Sequence, residues 1–156
     1  MLKTLNVSIL DAPAEVIGHC CNCFHTMGSG VAHAIREKYP EAYVADCKKT
    51  IKGDIKKLGR ASIAKVFKPD NEIKWVANLY GQYTFGTDKK QVSYEAIYEA
   101  LTRVRQWMND NKLKTIAFPY KMCCALAGGD WRILEAIITV VFEGSEIEVL
   151  ICNYEG

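Results

Sequence analysis

Residues 19–25 are the densest group of potentially reactive side chains in the chain. Their sequence, HCCNCFH, places three cysteines between two histidines, and the glycine-containing run MGSG (27–30) follows after Thr26. Side chains of these types could bind a metal ion, form a redox-active dithiol, or flank a phosphate pocket made of backbone amides. Each of these three chemistries requires different support from the rest of the chain.

A zinc site is the first possibility. Structural zinc needs four converging Cys or His ligands, usually offered as two pairs by tight turns. Cys20 and Cys23 have the C-x-x-C spacing, and Cys123 with Cys124 is the distant pair that would complete the set. Adjacent residues of an extended chain point in opposite directions, so Cys123 and Cys124 are poorly placed to share one ion. We therefore predict no metal and no other cofactor.

A redox-active C-x-x-C is the second possibility. Such a motif gains its low thiol pKa from the N-terminus of a helix. Here the predicted helix begins only after the MGSG run, several residues beyond Cys23. Small buried thiols near a strand end are the interpretation that this spacing favours.

Phosphate binding agrees best with the local pattern. The run MGSG (27–30) immediately precedes one predicted helix, and AGGDW (127–131) immediately precedes another. Glycine lets the backbone adopt positive φ and lets an anion approach the free amides at a helix N-terminus. Two such loops at one edge of a sheet would suit a diphosphate or a phosphorylated sugar.

The predicted elements place both loops at the same edge. The chain alternates strands and helices, which indicates an α/β fold whose sheet is mixed or largely parallel, with helices on both faces. Ligands of such sheets bind beyond the carboxyl ends of the strands, where loops 19–30 and 119–130 lie. The predicted strands cover residues 4–10, 14–20, 62–68, 73–81, 114–120 and 146–152, and the predicted helices cover Gly30 to the residue before Pro40, Ser93 to about 110, and 131–143.

Length and charge narrow the class of protein. A chain of 156 residues fits one domain, 1–156, that can bury its core without disulfides or metal. The net charge of +2 creates no global field for nucleic acid, so we predict no such partner. The basic run KKTIKGDIKK (48–57) contains an aspartate and apolar residues, and we interpret it as a solvated loop.

The seven cysteines indicate a reducing environment. Their number is odd, and no secretory leader pattern precedes them, so we expect free thiols and a cytoplasmic location. No apolar run approaches the roughly 20 residues that a membrane span requires, so we predict no membrane association. The sequence leaves the oligomeric state open.

Four segments taken together resemble the macro domain family, the ADP-ribose-binding fold. They are VIGHCCNCFHTMGSGVAHAIREKYPEAY (16–43), WVANLYGQYTFG (75–86), IAFPYKMCCALAGGDWRILEAIITVVF (116–142) and IEVLICNY (147–154). The resemblance spans nearly the whole chain and implies a three-layer α/β/α domain with a mixed, largely parallel sheet. Within the family it points to the branch that holds the yeast ADP-ribose 1″-phosphate phosphatase and the human terminal ADP-ribose glycohydrolase.

The resemblance implies a role for individual residues. Asn22 would contact the distal ribose, the amides of 28–31 would surround one phosphate, and the backbone of 123–129 would hold the other. Tyr83 or Phe85 would shape the ribose pocket, and His19 matches a histidine implicated in phosphate release. The predicted ligand-binding residues are Ser8, Asn22, Met27, Gly28, Ser29, Gly30, Val31, Tyr83, Cys123, Cys124, Ala125, Leu126, Ala127, Gly128, Gly129 and Asp130, and the predicted catalytic residues are His19 and His25.

The chain also departs from the family pattern. Ser8 stands where the family has an adenine-recognising aspartate, and Lys121-Met122-Cys123-Cys124-Ala125 replaces a glycine-rich loop. His25 occupies a position that is commonly glycine. The glycohydrolase's catalytic lysine and aspartate fall on Gln82 and Ala127. The amine nucleophile and the carboxylate that its reaction needs are therefore missing at these positions.

Each candidate also has a purely structural interpretation. His19 could be a hydrogen-bonded core imidazole, and His25 an exposed loop residue. Asn22 could stabilise a turn. Asp130 precedes a predicted helix, where an N-cap is the simplest role and a ligand contact the alternative.

Three functions follow from these residues. The leading hypothesis is a domain that binds ADP-ribose or a derivative and hydrolyses ADP-ribose 1″-phosphate, with His19 or His25 handling water or the leaving group. The alternative is a binding or sequestering module without turnover. Removal of ADP-ribose from proteins is disfavoured by Gln82 and Ala127.

Overall fold

A six-stranded sheet with helices on both faces forms the molecule. The computed structural model describes residues 2–70, 72–85, 91–124 and 127–154. In chain order the elements are β1 (Leu2–Leu5), β2 (Val16–Cys21), α1 (Gly30–Lys38), α2 (Pro40–Lys49), β3 (Ala61–Phe67), β4 (Ile73–Tyr80), α3 (Tyr94–Asp110), β5 (Thr115–Pro119), α4 (Trp131–Phe142) and β6 (Glu148–Cys152).

The sheet is mixed and largely parallel, as predicted. Its strand order is β1-β6-β5-β2-β4-β3. All neighbouring strands run parallel except β3 and β4, which form an antiparallel hairpin with Ala61 opposite Leu79. The central strands are buried on both faces, which explains why VIGHCC reads as a continuous apolar run rather than an alternation.

The two helical layers bury different surfaces of the sheet. Helices α3 and α4 pack on one face through residues such as Leu101, Leu134 and Ile138, and the buried residues of that layer are apolar. Helices α1 and α2 cover the other face through Ile35 and Ala42, together with buried polar side chains. The predicted three-layer α/β/α architecture is confirmed. None of the helices in the described part of the chain is long and apolar enough to cross a membrane.

Helix boundaries follow recognisable signals. The Ser93 hydroxyl accepts a hydrogen bond from the Ala96 amide at 3.2 Å and caps α3. Pro40 ends α1, as predicted, but it also begins α2, because a proline at the first helical position gives up an amide that has no partner there anyway. Helix α2 is absent from the predicted elements for this reason.

Two other predictions about local structure are wrong. The strand predicted over 4–10 ends at Leu5, and the Ser8 hydroxyl instead accepts a hydrogen bond from the Leu10 amide at 3.2 Å to open a 3-10 turn. The basic run 48–57 is not wholly solvated. Its Lys57 is 1% exposed, because the Lys57 ammonium pairs with the Asp46 carboxylate of α2.

Candidate functional site

Two loops meet beyond the carboxyl ends of β2 and β5, which are hydrogen-bonded neighbours. We call residues 22–29, between β2 and α1, loop 1, and residues 120–130, between β5 and α4, loop 2. Of the predicted site residues in loop 2, Ala125 and Leu126 lie outside the described part of the chain. The sequence prediction of two loops at one sheet edge is confirmed by this placement.

Loop 1 is shaped by its own side chains. The Asn22 amide donates to the Thr26 hydroxyl at 2.6 Å, while its carbonyl oxygen accepts from the Phe24 amide at 2.8 Å. The Cys23 amide donates to the Tyr83 carbonyl oxygen at 2.9 Å, which ties the loop to the segment after β4. Asn22 therefore stabilises the turn, and its predicted contact with a ribose stays a prediction.

The end of loop 1 turns outward and exposes its backbone. Met27 is 3% exposed and anchors the turn, with φ of 40°, whereas residues 28–31 are all exposed. Gly30 has φ of 59° and no atom within 4 Å of the position where a β-carbon would stand. The nearest atom to such a carbon on Gly28 is the Thr26 carbonyl oxygen at 3.7 Å. Open space thus surrounds both glycines.

The N-terminus of α1 lacks the side-chain cap that α3 and α4 have. Within the described residues, the Ser29 side chain makes no capping hydrogen bond, and the first intrahelical bond is the His33 amide to the Ser29 carbonyl oxygen at 3.3 Å. The amides that precede His33 in the first turn therefore point to solvent. Together with the helix dipole they form an opening suited to an anion.

Loop 2 is built differently, because its backbone is packed inward. The Gly129 amide donates to the Cys123 carbonyl oxygen at 2.8 Å. A β-carbon on Gly129 would stand 2.7 Å from that same oxygen. Lys121 and Cys123 adopt φ of 58° and 66°, and Gly128 adopts 75°. Lys121 and Cys123 reach the left-handed region without being glycine, which stores strain in loop 2, as His25 and Met27 do in loop 1.

Asp130 caps α4, as predicted. Its carboxylate accepts from the Arg132 amide at 3.0 Å and from the Arg132 guanidinium at 2.8 Å. These two hydrogen bonds lower the pKa of Asp130 below its usual value. The N-terminus of α4 is thus occupied by the protein's own anion, unlike that of α1.

His19, a predicted catalytic residue, lies in the core and not in the opening. It is 1% exposed on the α1–α2 side of the sheet, and its Nε2 lies 2.6 Å from the Asn78 side-chain oxygen. Burial lowers the pKa of His19 from 6.5 to about 4, against a smaller opposing effect of that hydrogen bond. The core-imidazole interpretation describes this environment. A catalytic role would require the His19 ring to leave its buried position.

The Asn78 bond is the first link of a buried hydrogen-bonded chain. The Asn78 amide donates to the Ser62 hydroxyl at 3.0 Å, and the Ser62 and Tyr80 hydroxyls are 2.6 Å apart. Tyr80 in turn donates to the Asp46 carboxylate at 2.7 Å, which also accepts from Lys57 at 2.7 Å. Each donor in this chain is directed toward Asp46. The Asn78 side-chain oxygen can only accept a hydrogen bond, so the proton of neutral His19 is assigned to Nε2.

His25, the other predicted catalytic residue, is held by the end of α2. Its Nε2 lies 3.0 Å from the Thr50 carbonyl oxygen, so this nitrogen carries a proton and donates it there. The residue is half-buried rather than exposed, and its φ is 58°. The Tyr43 hydroxyl donates to the His25 carbonyl oxygen at 3.0 Å and fixes the backbone as well. Catalysis by His25 stays a prediction.

Ser8 and Tyr83 follow strands that end at the same sheet edge as the loops. The Ser8 hydroxyl is engaged in its 3-10 turn, as described above. The Tyr83 hydroxyl donates to the Gly53 carbonyl oxygen at 2.7 Å, and its ring packs edge-on against Phe24 at 5.0 Å. Tyr83 thus forms part of the wall behind loop 1.

The thiols behave as the sequence interpretation expects. All seven cysteines are free. Burial raises the pKa of Cys23 to about 11, and burial also raises the pKa of Cys21 and Cys123 well above their ordinary value. Among the described residues, no group of three or more His, Cys, Asp or Glu side chains is arranged to hold a metal ion.

Several important residues have no motif in the sequence. Asp46 lies on α2, a helix missing from the prediction, and its partner Lys57 stands in a run that resembles a surface loop. The one available signal is Asn78, a polar residue inside the apolar strand WVANLY. A polar side chain at a buried position requires partners, and those of Asn78 include His19, Ala42 and Ser62.

Comparison with known proteins adds a family and several relatives. The model of the macro domain family matches residues 19–138. An uncharacterized 17.5 kDa protein of the tk-vs intergenic region of Enterobacteria phage T4 is 29% identical over 150 residues, which cover 96% of this chain and 93% of that protein. The ADP-ribose 1″-phosphate phosphatase of Aspergillus oryzae is 40% identical over 43 residues, 27% of this chain and 21% of the phosphatase.

One solved structure with the same fold is Thermosipho africanus DarTG in complex with ADP-ribose. It superimposes with a TM-score of 0.79 at 20% identity, over 97% of this chain and 41% of that one. At this identity the likeness establishes a shared fold.

Proposed function

Because this chain belongs to the macro domain family, we propose that it binds ADP-ribose through the amide-lined opening at the N-terminus of α1. The uncapped first turn of α1 is the observation that carries the proposal. Backbone amides there have no protein acceptor among the described residues, and Gly28 and Gly30 leave room for a phosphate. A pyrophosphate would supply the missing acceptors.

The solved structure of DarTG with ADP-ribose supports this choice of ligand, since it has the same fold. Loop 2 would approach the second phosphate from the other side, with Asn22 reoriented toward the ribose. Ser8 is a shorter side chain than the aspartate it replaces, so we expect the ribose and phosphates to contribute more affinity than adenine.

Isothermal titration calorimetry with ADP-ribose tests the proposal. We expect a 1:1 complex for the wild-type protein and for Asn109→Glu, which adds a charge on the exposed last turn of α3. A flat titration of the wild-type protein at millimolar ADP-ribose would refute the proposal.

Hydrolysis of ADP-ribose 1″-phosphate is the second candidate function. The segment shared with the fungal phosphatase favours it. His19 is buried and the His25 ring is hydrogen-bonded to Thr50. Any catalysis would therefore come mainly from positioning of the substrate and from backbone amides that stabilise its negative charge. Phosphate release from ADP-ribose 1″-phosphate by purified protein would support catalysis. Binding of ADP-ribose with no release would leave a binding module.

A further inference from the structure

A second cleft, of about 560 Å³, lies at the free edge of the sheet beside β3. Helix α2 forms one wall and helix α3 the other, so the cleft spans the edge of the sheet from one face to the other. No residue of loop 1 or loop 2 lines it.

Four cationic side chains converge on this cleft. They are Lys48 and Lys49 from the end of α2, Arg60 from the position before β3, and Arg103 from α3. No carboxylate lines the cleft, and within the described residues none of the four forms an ion pair with a carboxylate. The nearby carboxylate of Glu99 instead lies against Gly59.

Three of these cations repel one another. Burial lowers the pKa of Lys49, and the neighbouring charges of Arg60 and Arg103 lower it further. Like charges that raise one another's energy in a cleft are a feature of binding sites for the opposite charge.

Apart from Ser62, the rest of the lining is aromatic and apolar. Trp107 is half-buried, and its ring packs edge-on against Trp75 at 5.2 Å. Ile63 and Val104 complete an apolar floor beside it. An indole next to several cations offers a stacking surface for a base and charge for phosphates.

We propose that this cleft is a second ligand site, which binds a nucleoside di- or triphosphate. The phosphates lie between the two lysines of α2 and the two arginines, and the base lies against Trp107. A polynucleotide would need an extended basic track, and the chain's net charge of +2 argues against one. The inference does not depend on ADP-ribose binding at loop 1.

The indole N–H signals of the tryptophans in a ¹⁵N NMR spectrum separate the two sites. Trp107 reports on the cleft, and Trp131, whose ring packs against Tyr120 of loop 2 at 5.3 Å, reports on the loops. Titration with ADP should shift the Trp107 signal in the wild-type protein and equally in Gly28→Glu, in which loop 1 is filled. A Trp107 signal unmoved at 5 mM ADP would overturn the proposal, whatever Trp131 does.

Charge removal identifies the residues that bind. The double variant Lys49→Gln/Arg103→Gln should weaken the Trp107 response at least tenfold, with an unchanged Trp131 signal as evidence of an intact fold. The matched control, Lys3→Gln/Lys112→Gln, removes two exposed charges elsewhere and should respond like the wild type. Equal responses of the two double variants would overturn the proposal. A labelled single-stranded RNA that binds through the same residues more tightly than ADP would also overturn it.

Discussion

Loop 1 and loop 2 both lead into a helix through glycines, but the surroundings of the glycines differ. Around Gly28 and Gly30 the space is open, and the following helix has no side-chain cap. In loop 2, Gly129 is glycine because the Cys123 carbonyl oxygen leaves no room for a β-carbon, and Asp130 already occupies the N-terminus of α4. The same motif therefore accompanies an open, uncapped helix N-terminus in one loop and close packing in the other.

The helical layers on the two faces of the sheet also differ, because in the described part of the chain one contains buried polar side chains and the other does not. The β2 strand leads into loop 1, and on its α1–α2 side it carries His19, the first member of the buried polar chain. Beneath loop 2, the α3–α4 side is a continuous apolar cluster. The layer beneath loop 1 therefore combines apolar packing, which includes Cys23 and Met27, with a chain of directional hydrogen bonds that makes it more rigid.

Gly28→Glu gives the largest expected effect. The new side chain fills the open space and places a negative charge at the first turn of α1, so ADP-ribose binding should weaken by at least about 1,000-fold, or about 4 kcal/mol. Calorimetry measures the binding, and thermal unfolding should show a Tm close to that of the wild type. Gly28→Gln, which fills the same space without charge, should lose less affinity. A parallel loss of binding and Tm would show that Gly28 is structural and would contradict the comparison.

The pH dependence of stability tests the layer beneath loop 1. The unfolded chain takes up a proton on His19 near pH 6.5, whereas the native protein does so only near pH 4. Acidification therefore favours unfolding, and the free energy of unfolding should fall by about 3 kcal/mol between these pH values.

Denaturant unfolding at several pH values measures this contribution. His19→Gln keeps a donor for Asn78 and should flatten the pH dependence in this window. His33→Gln, at an exposed position of α1, is the matched control and should keep the wild-type profile. If the His19→Gln and wild-type profiles are parallel, His19 is not the titrating group.

Gly129→Ala probes loop 2. The added carbon meets the Cys123 carbonyl oxygen at 2.7 Å and side-chain atoms of Leu134 and Val92 at 3.3 Å. We expect destabilisation by about 2 kcal/mol, measured by denaturant unfolding. Gly28→Ala, in the open loop, should be near neutral. Equal losses in the two variants would remove the distinction between the loops.

Asp130→Ala should have the smallest effect. Loss of the cap leaves the Arg132 amide without its acceptor, which should lower Tm by about 3 °C, while Asp130→Asn should restore most of it. In addition, removal of a negative charge from loop 2 should leave ADP-ribose binding unchanged or slightly stronger. Loss of binding in Asp130→Asn would instead indicate a direct ligand contact.

The order of the elements and both loops could be predicted because their signals are local. Apolar periodicity identifies α3 and α4, and Ser93 and Asp130 stand at their N-termini as caps. The resemblance to a family added the expected roles of the two loops toward the ribose and the two phosphates. Helix α2 was missed because Pro40 was interpreted only as a stop and not also as a start.

The environment of individual side chains could not be predicted from the sequence. Whether His19 faces a ligand or the core depends on Asn78, 59 residues away. The burial of Lys57 depends on Asp46, and the direction of the His25 ring depends on the Thr50 carbonyl oxygen. Each outcome is set by a partner on another element, so no local pattern encodes it.

The polar chain also bears on the order of folding. Four of its members, Asp46, Ser62, Asn78 and Tyr80, belong to α2, β3 and β4, and Lys57 lies between α2 and β3. By contrast, β2 and β5 pair residues that are about 100 positions apart, such as Val16 and Ile116. Short loops close at a lower entropic cost than long ones. We therefore expect the α2–β3–β4 segment to be structured early in the folding transition state, with the central β2–β5 pairing completed afterwards.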